Sequence, residues 1–172
     1  LSFRRSSGVS VSDGVVATYV HGAVAPDLGK IGVLVGLEST GDKGKLAEFG
    51  KQLAMHIAAA NPLWVSQDEV DTDAVDRERE VLADQAREAG KPEEIVQKMV
   101  DGRLRKYYEE VCLLDQTFVI DGESKVSKAV EAAGADVGAP LKITAFARVQ
   151  LGEGIEKEES DFAAEVAATA GS

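Results

Sequence analysis

Apolar and polar positions change period several times along the chain, and each change marks a new element. Val9 and Val11 alternate with serines, Asp13-Gly14 follows, and Val16, Thr18 and Val20 then alternate with Val15, Ala17 and Tyr19. Two short runs around an Asp-Gly dipeptide predict an antiparallel β-hairpin. Gly22 to Lys30, holding Pro26 and Gly29, predicts a loop. Ile31, Val33, Val35 and Leu37 then line one face of a strand, with Gly32, Leu34 and Gly36 between them. A strand apolar on both sides is buried in a sheet, and its glycines leave one face bare for a closely packed neighbour. From Lys43 to Ala60 the period becomes helical: Leu46, Phe49, Leu53 and Ile57 share a face with Ala54 and Ala58 beside them. Asp42 is the expected cap and Asn61-Pro62 the stop. This is the expected core helix, with alanines that let it sit close to the sheet.

Asp71 to Phe118 differs in kind. It carries nearly half of the chain's acids and bases and one strong break, Gly90-Lys91-Pro92. Glycine fits the end of one helix and proline the first turn of the next. Val96, Val100, Leu104, Tyr107, Val111, Leu114 and Phe118 form a narrow stripe on the second helix, facing Val75, Leu82, Ala86 and Ala89 of the first. An antiparallel helical hairpin with a coiled-coil-like seam is predicted. The narrow stripe and heavy charge favour projection from the body, because helices packed flat on a core carry a wider apolar face. A short helix is expected from Val126 to Ala135. Leu141 to Leu151 alternates again, with Ile143, Ala145, Ala147 and Val149 on one side and Phe146 and Arg148 on the other, as a half-exposed strand returning to the sheet. The tail from Gly152 is acidic and then alanine-rich and amphipathic, with Phe162 and Val166. The fold class is therefore α+β: an antiparallel sheet with packed helices and an inserted helical hairpin. The expected units are a core from 1–69 and 119–151, a hairpin from 70–118 and a C-terminal module from 152–172.

Composition narrows the chemistry. The 172 residues hold 30 acids against 19 bases, a net charge of −11. That balance argues against nucleic acid as a partner, since phosphate neutralisation needs clustered Lys and Arg. No apolar run approaches the ~20 residues that span a bilayer, so no membrane partner is expected. A lone cysteine, Cys112, cannot close an internal disulfide and suits a reducing, cytoplasmic location. It is expected to be a bland, half-buried thiol on the hairpin helix. The chain opens on Leu1 rather than Met and is expected to belong to a longer protein.

Catalytic signatures fail one by one. Gly36 and Gly41 have phosphate-loop spacing, but Asp42-Lys43-Gly44 follows where Gly-Lys-Ser/Thr is required. Gly152-Glu153-Gly154 is a fragment of a dinucleotide fingerprint with an acid between its glycines. The two histidines, His21 and His56, have no Cys/His spacing for zinc, and acid pairs such as Glu109-Glu110 read as solvated helix faces. The expectation is a binding protein: no enzyme, no cofactor and no metal. Read alone, His21 is a turn histidine bonded locally, and His56 a core or interface histidine.

Several strings are more specific. Tyr19-Val20-His21-Gly22-Ala23 with Lys30-Ile31-Gly32-Val33-Leu34-Val35 resembles a strand-loop-strand of bacterial elongation factor Ts. Leu53-Ala54-Met55-His56-Ile57-Ala58-Ala59-Ala60-Asn61-Pro62, Gly90-Lys91-Pro92-Glu93-Glu94-Ile95 and Lys98-Met99-Val100-Asp101-Gly102-Arg103 are similar too. So are Gly152-Glu153-Gly154-Ile155-Glu156-Lys157 and Asp161-Phe162-Ala163-Ala164-Glu165-Val166, and the matches run in order from about Arg4 to Ala168. The resemblance implies a guanine-nucleotide exchange factor that binds the GTPase elongation factor Tu and promotes GDP release, and a homodimer of the full-length protein. It nominates His21, flanked by Tyr19 and Gly22, for contact with the GTPase, together with Ile155, Phe162, Ala163 and Val166 of the C-terminal module.

The chain departs from that family's pattern in lacking the N-terminal helical domain and the Thr-Asp-Phe wedge. Ser160-Asp161-Phe162 mimics the wedge but lies in the tail. Loop Val24 to Lys30 is a short insertion relative to the tighter form of that turn. Binding with little exchange is therefore expected from this chain alone. The alternative reading is a dimerisation or scaffold module that binds another protein through its hairpin.

Overall fold

The computed structural model describes residues 3–154. Three strands, β1 (Gly14–His21), β2 (Ile31–Glu38) and β3 (Lys142–Gln150), form an antiparallel sheet in the order β1-β2-β3. Four helices accompany it: α1 (Lys43–Ala60), α2 (Thr72–Glu88), α3 (Glu93–Val111) and α4 (Val126–Val137). The fold is α+β, as the hydrophobic pattern predicts.

α1 is the core helix. The Asp42 carboxylate accepts from the Lys45 amide at 2.9 Å. The other end closes on Asn61 in the left-handed conformation, whose amide donates to the Ile57 carbonyl. Leu46, Leu53 and Ile57 are fully buried against Val33, Val35 and Leu37 of β2. The closest approach runs through Gly50, not the alanines: a Cβ there would lie 2.6 Å from the Cβ of Ala17 on β1. The C-terminal end of α1 has no basic residue of its own in the last turn. Arg148 of β3 supplies one, its guanidinium donating to the Ala58 carbonyl at 3.3 and 3.4 Å and meeting the negative end of the helix dipole.

Two strand expectations are corrected. Val9 and Val11 lie in no strand, and Asp13-Gly14 is not a hairpin turn; Gly14 opens β1, and the real hairpin joins β1 to β2 across 22–30. Residues 3–11 instead lie along the sheet face away from α1, where Gly36 leaves room. A Cβ at Gly36 would fall 2.9 Å from Val9 and 3.1 Å from Val11. The bare face of β2 thus receives an extended segment of the same chain. In β3 the alternation is broken by a register shift between Gly36 and Leu37. Ile143 pairs with Leu37, but Phe146 and Arg148 then pair with Val35 and Val33, on the helix side. Ala145, Ala147 and Val149 fall on the opposite face. An extra residue in one strand reverses the facing of all that follow it.

α2 and α3 pack chiefly on each other. Their seam buries Val75, Ala83 and Ala86 against Val96, Val100 and Leu104, in a cluster separate from the main core. Gly90 takes φ +71° in the turn, where a left-handed residue ends a helix most readily in glycine. The predicted stripe runs past the helix it was assigned to. α3 stops at Val111 because the chain there turns to bond the segment 63–65: Leu63 donates to Val111, and Leu113 and Leu114 donate to Trp64 and Val65. Leu113 and Phe118 consequently join the main core. Cys112, expected to be half-buried on the helix, caps α3 and is fully buried. Burial beside Asp115 and Glu69 pushes its thiol up to about 11. α4 runs two residues further than expected and closes on Gly138 at φ +82°.

Candidate partner-binding site

β1 is an edge strand, and its C-terminal end carries Tyr19, His21 and Gly22. Tyr19 and His21 point to the α1 side, because their register partners Val33 and Ile31 do. Tyr19 packs its ring on the main core, whereas His21 is exposed. The Tyr19 hydroxyl lies 3.2 Å from His21 Nδ1, with ring centroids 6.1 Å apart. A half-buried phenol on a strand thereby fixes the ring of an exposed imidazole. The hydroxyl engages Nδ1, so Nε2 is the nitrogen left for another molecule. Gly22 follows at φ +61°, a backbone a β-branched residue resists. The sequence therefore brings three of its predicted contact residues together at one sheet corner.

The loop beyond Gly22 folds back on itself. Val24 donates to the Leu28 carbonyl at 2.9 Å, Leu28 to Ala25 at 3.1 Å, and Lys30 to the His21 carbonyl at 2.9 Å. The end of β3 joins the same corner: Leu151 donates to the Lys30 carbonyl, while Arg5 and Arg4 reach the carbonyls of Glu153 and Gly154. A cleft of about 600 Å³ opens there, walled by Phe3, Leu28, Lys30, Ile31, Val149 and Leu151. Ile155, Phe162, Ala163 and Val166 lie outside the described residues.

Exposed Val24 and Leu28 were missed by the sequence reading, although two aliphatics around Pro26-Asp27 in a polar loop were a visible signal. Also missed was the partner of His56. That ring is fully buried. The Val119 amide donates to its Nδ1 at 3.2 Å, so Nε2 carries the proton and donates to Gln116 Oε1 at 2.9 Å. Gln116 in turn donates to the Glu110 carbonyl at 2.8 Å. Burial lowers the pKa of His56, and the Gln116 contact opposes this only in part. His56 is a core residue that ties α1 to the base of the hairpin. Among the described residues no group of three or more His, Cys, Asp and Glu side chains is placed to hold a metal ion. Nor is any helix there long and apolar enough to cross a membrane.

A family profile described as Elongation factor TS matches residues 1–153. Elongation factor Ts of Rhodospirillum centenum is 63 % identical over 171 residues, covering 99 % of this chain and 56 % of that protein. Its counterparts in Paramagnetospirillum magneticum and Bartonella henselae are 63 % and 58 % identical, with 99 % of this chain and 55 % of each relative covered. The chain spans about half the length of these curated relatives. Strand, core helix, hairpin turn and closing strand all fall within the matched residues. The chain belongs to the elongation factor Ts family.

Proposed function

We propose that this chain is a docking unit of a guanine-nucleotide exchange factor and binds the GTPase elongation factor Tu. The observation that carries the reading is the family match over nearly the whole chain, combined with an exposed, oriented His21 at the sheet corner. The function is thermodynamic rather than covalent. A protein that binds the nucleotide-free GTPase more tightly than its GDP form lowers GDP affinity by the same factor. Tyr19 orients the His21 ring, and Gly22 turns the backbone away so that the ring is presented without obstruction. Ile155, Phe162, Ala163 and Val166 supply a second contact in this reading. The Thr-Asp-Phe wedge is missing, so the chain binds its partner but accelerates GDP release little.

The units proposed are a body from 1–69 and 119–151, a hairpin from 70–118 and a C-terminal module from 152–172. Homodimerisation and a cytoplasmic setting belong to the same proposal. Calorimetric titration against nucleotide-free elongation factor Tu tests it, with His21→Ala as the informative variant. Tight binding weakened by that change is expected; no heat of binding from the unaltered chain would refute the reading.

The scaffold alternative has one observation in its favour, the exposed Val81, Ile95 and Met99 on the hairpin. Changing all three to serine leaves GTPase binding intact if the first reading holds, and abolishes partner binding if the second does.

A further inference from the structure

Beside His21 the chain presents two large aliphatic side chains to water. Val24 is 78 % exposed and Leu28 62 % exposed, on the arm formed by residues 24–30. Apolar side chains on a loop tip contribute nothing to the core, and grouped exposed ones mark contact surfaces. This arm is also held in shape. Three backbone bonds tie Val24 and Ala25 to Leu28, Pro26 fixes its own φ, and Asp27 sits in the left-handed region at φ +59°. A loop ordered before it meets its partner loses less conformational entropy on binding.

The stem is locked to the proposed docking strand. Lys30 bonds the His21 carbonyl, and a Cβ at Gly29 would lie 2.7 Å from that same oxygen and 2.5 Å from Val20 Cγ1. The stem of the arm is therefore held at a fixed offset from the β1 backbone at His21. Asp27, exposed between the two aliphatics, makes no ion pair among the described residues. It shares a cleft wall with Arg4 and Arg5 without pairing to either, and its carboxylate is free to meet a cation on a partner.

We propose that Val24 and Leu28 insert into an apolar depression with a basic rim on the same GTPase that His21 contacts, with Asp27 facing the rim. The inference rests on the proposed function and extends its docking surface along the arm 24–30.

The test is titration of the full chain against nucleotide-free elongation factor Tu. Val24→Ala with Leu28→Ala is expected to weaken binding about tenfold, with the melting temperature unchanged. Asp27→Asn is expected to weaken it about threefold and to flatten its salt dependence. His21→Ala is measured in parallel. If the double variant binds normally while His21→Ala does not, the arm proposal is overturned and the docking reading stands. Should the unaltered chain not bind, both fall together. A lowered melting temperature with unchanged affinity would mean the arm packs on its own chain, and altered sedimentation with unchanged affinity would mean it meets a second copy. Either result overturns the proposal.

Discussion

The body and the helical hairpin bury apolar side chains by different means. In the body, Leu37, Leu46, Leu53, Ile57 and Leu113 are all fully buried between a sheet and two helices. In the hairpin one seam does most of the burying, and its α2 side is partly small: Val75, Ala83 and Ala86 meet Val96, Val100 and Leu104. Apolar burial stabilises roughly in proportion to area, so the hairpin holds itself together with much less. Its charged flanks add little, because exposed ion pairs are screened. The body is therefore the rigid platform for the sheet corner, and the hairpin the region that opens first.

The same substitution in both regions tests this contrast. Leu53→Ala empties space at the centre of the body and is expected to cost about 4 kcal/mol in chemical denaturation, near the top of the known range. Leu104→Ala, at the edge of a thinner seam, is expected to cost about 2 kcal/mol and to speed amide exchange in 96–104 while leaving α1 protected. Equal costs and a shared exchange pattern would break the distinction. Gly50→Ala probes the tightest contact of the platform. A methyl forced within 2.6 Å of Ala17 must push α1 from β1, at about 2 kcal/mol. An unchanged melting curve would mean the helix does not sit where described.

Next in size is a pH effect at the joint between the regions. His56 is neutral in the fold and its pKa is lowered by burial, whereas in the unfolded chain it titrates near the ordinary value of ~6.5. Above that value neither state gains a proton. As pH falls below it, the unfolded state binds the proton first, so stability falls until the folded-state pKa is reached. Denaturation between pH 7.5 and 5 is expected to show that loss, and His56→Gln to remove the slope at a lower overall stability. A wild-type profile flat over this range would contradict the buried, neutral ring. The smallest effect is expected at Arg87, which pairs with Asp84 and Glu93 where the hairpin turns. All three are solvent-exposed, so Arg87→Ala should leave the melting temperature within error; a clear drop would make the turn a structural anchor.

Local signals proved readable where one residue fixes one feature. Asp42 and Asn61 bound α1 at both ends, and Gly90-Lys91-Pro92 splits the hairpin. What was not readable depends on residues distant in sequence. Val9 and Val11 look like a strand until Gly36 offers them a surface. The β3 irregularity is invisible because Thr144 and Ala145 are small enough to suit either face, so the alternation runs smoothly through them. His56 was legible as a core histidine, but its Gln116 partner lies 60 positions away. At the candidate site, the family strings pointed to His21, while the Tyr19 contact that aims it follows from the strand and needed the fold. Val24 and Leu28 fell in a segment without periodicity, where apolar residues carry no facing.

The central claim is that this chain docks on a GTPase and acts by preferring one nucleotide state. Its most direct test measures affinity for elongation factor Tu without nucleotide and with GDP, alongside the rate of labelled GDP release. The account predicts markedly tighter binding to the empty GTPase, with little acceleration of release by this chain alone. Equal affinity for the two states, or no binding to either, would contradict it.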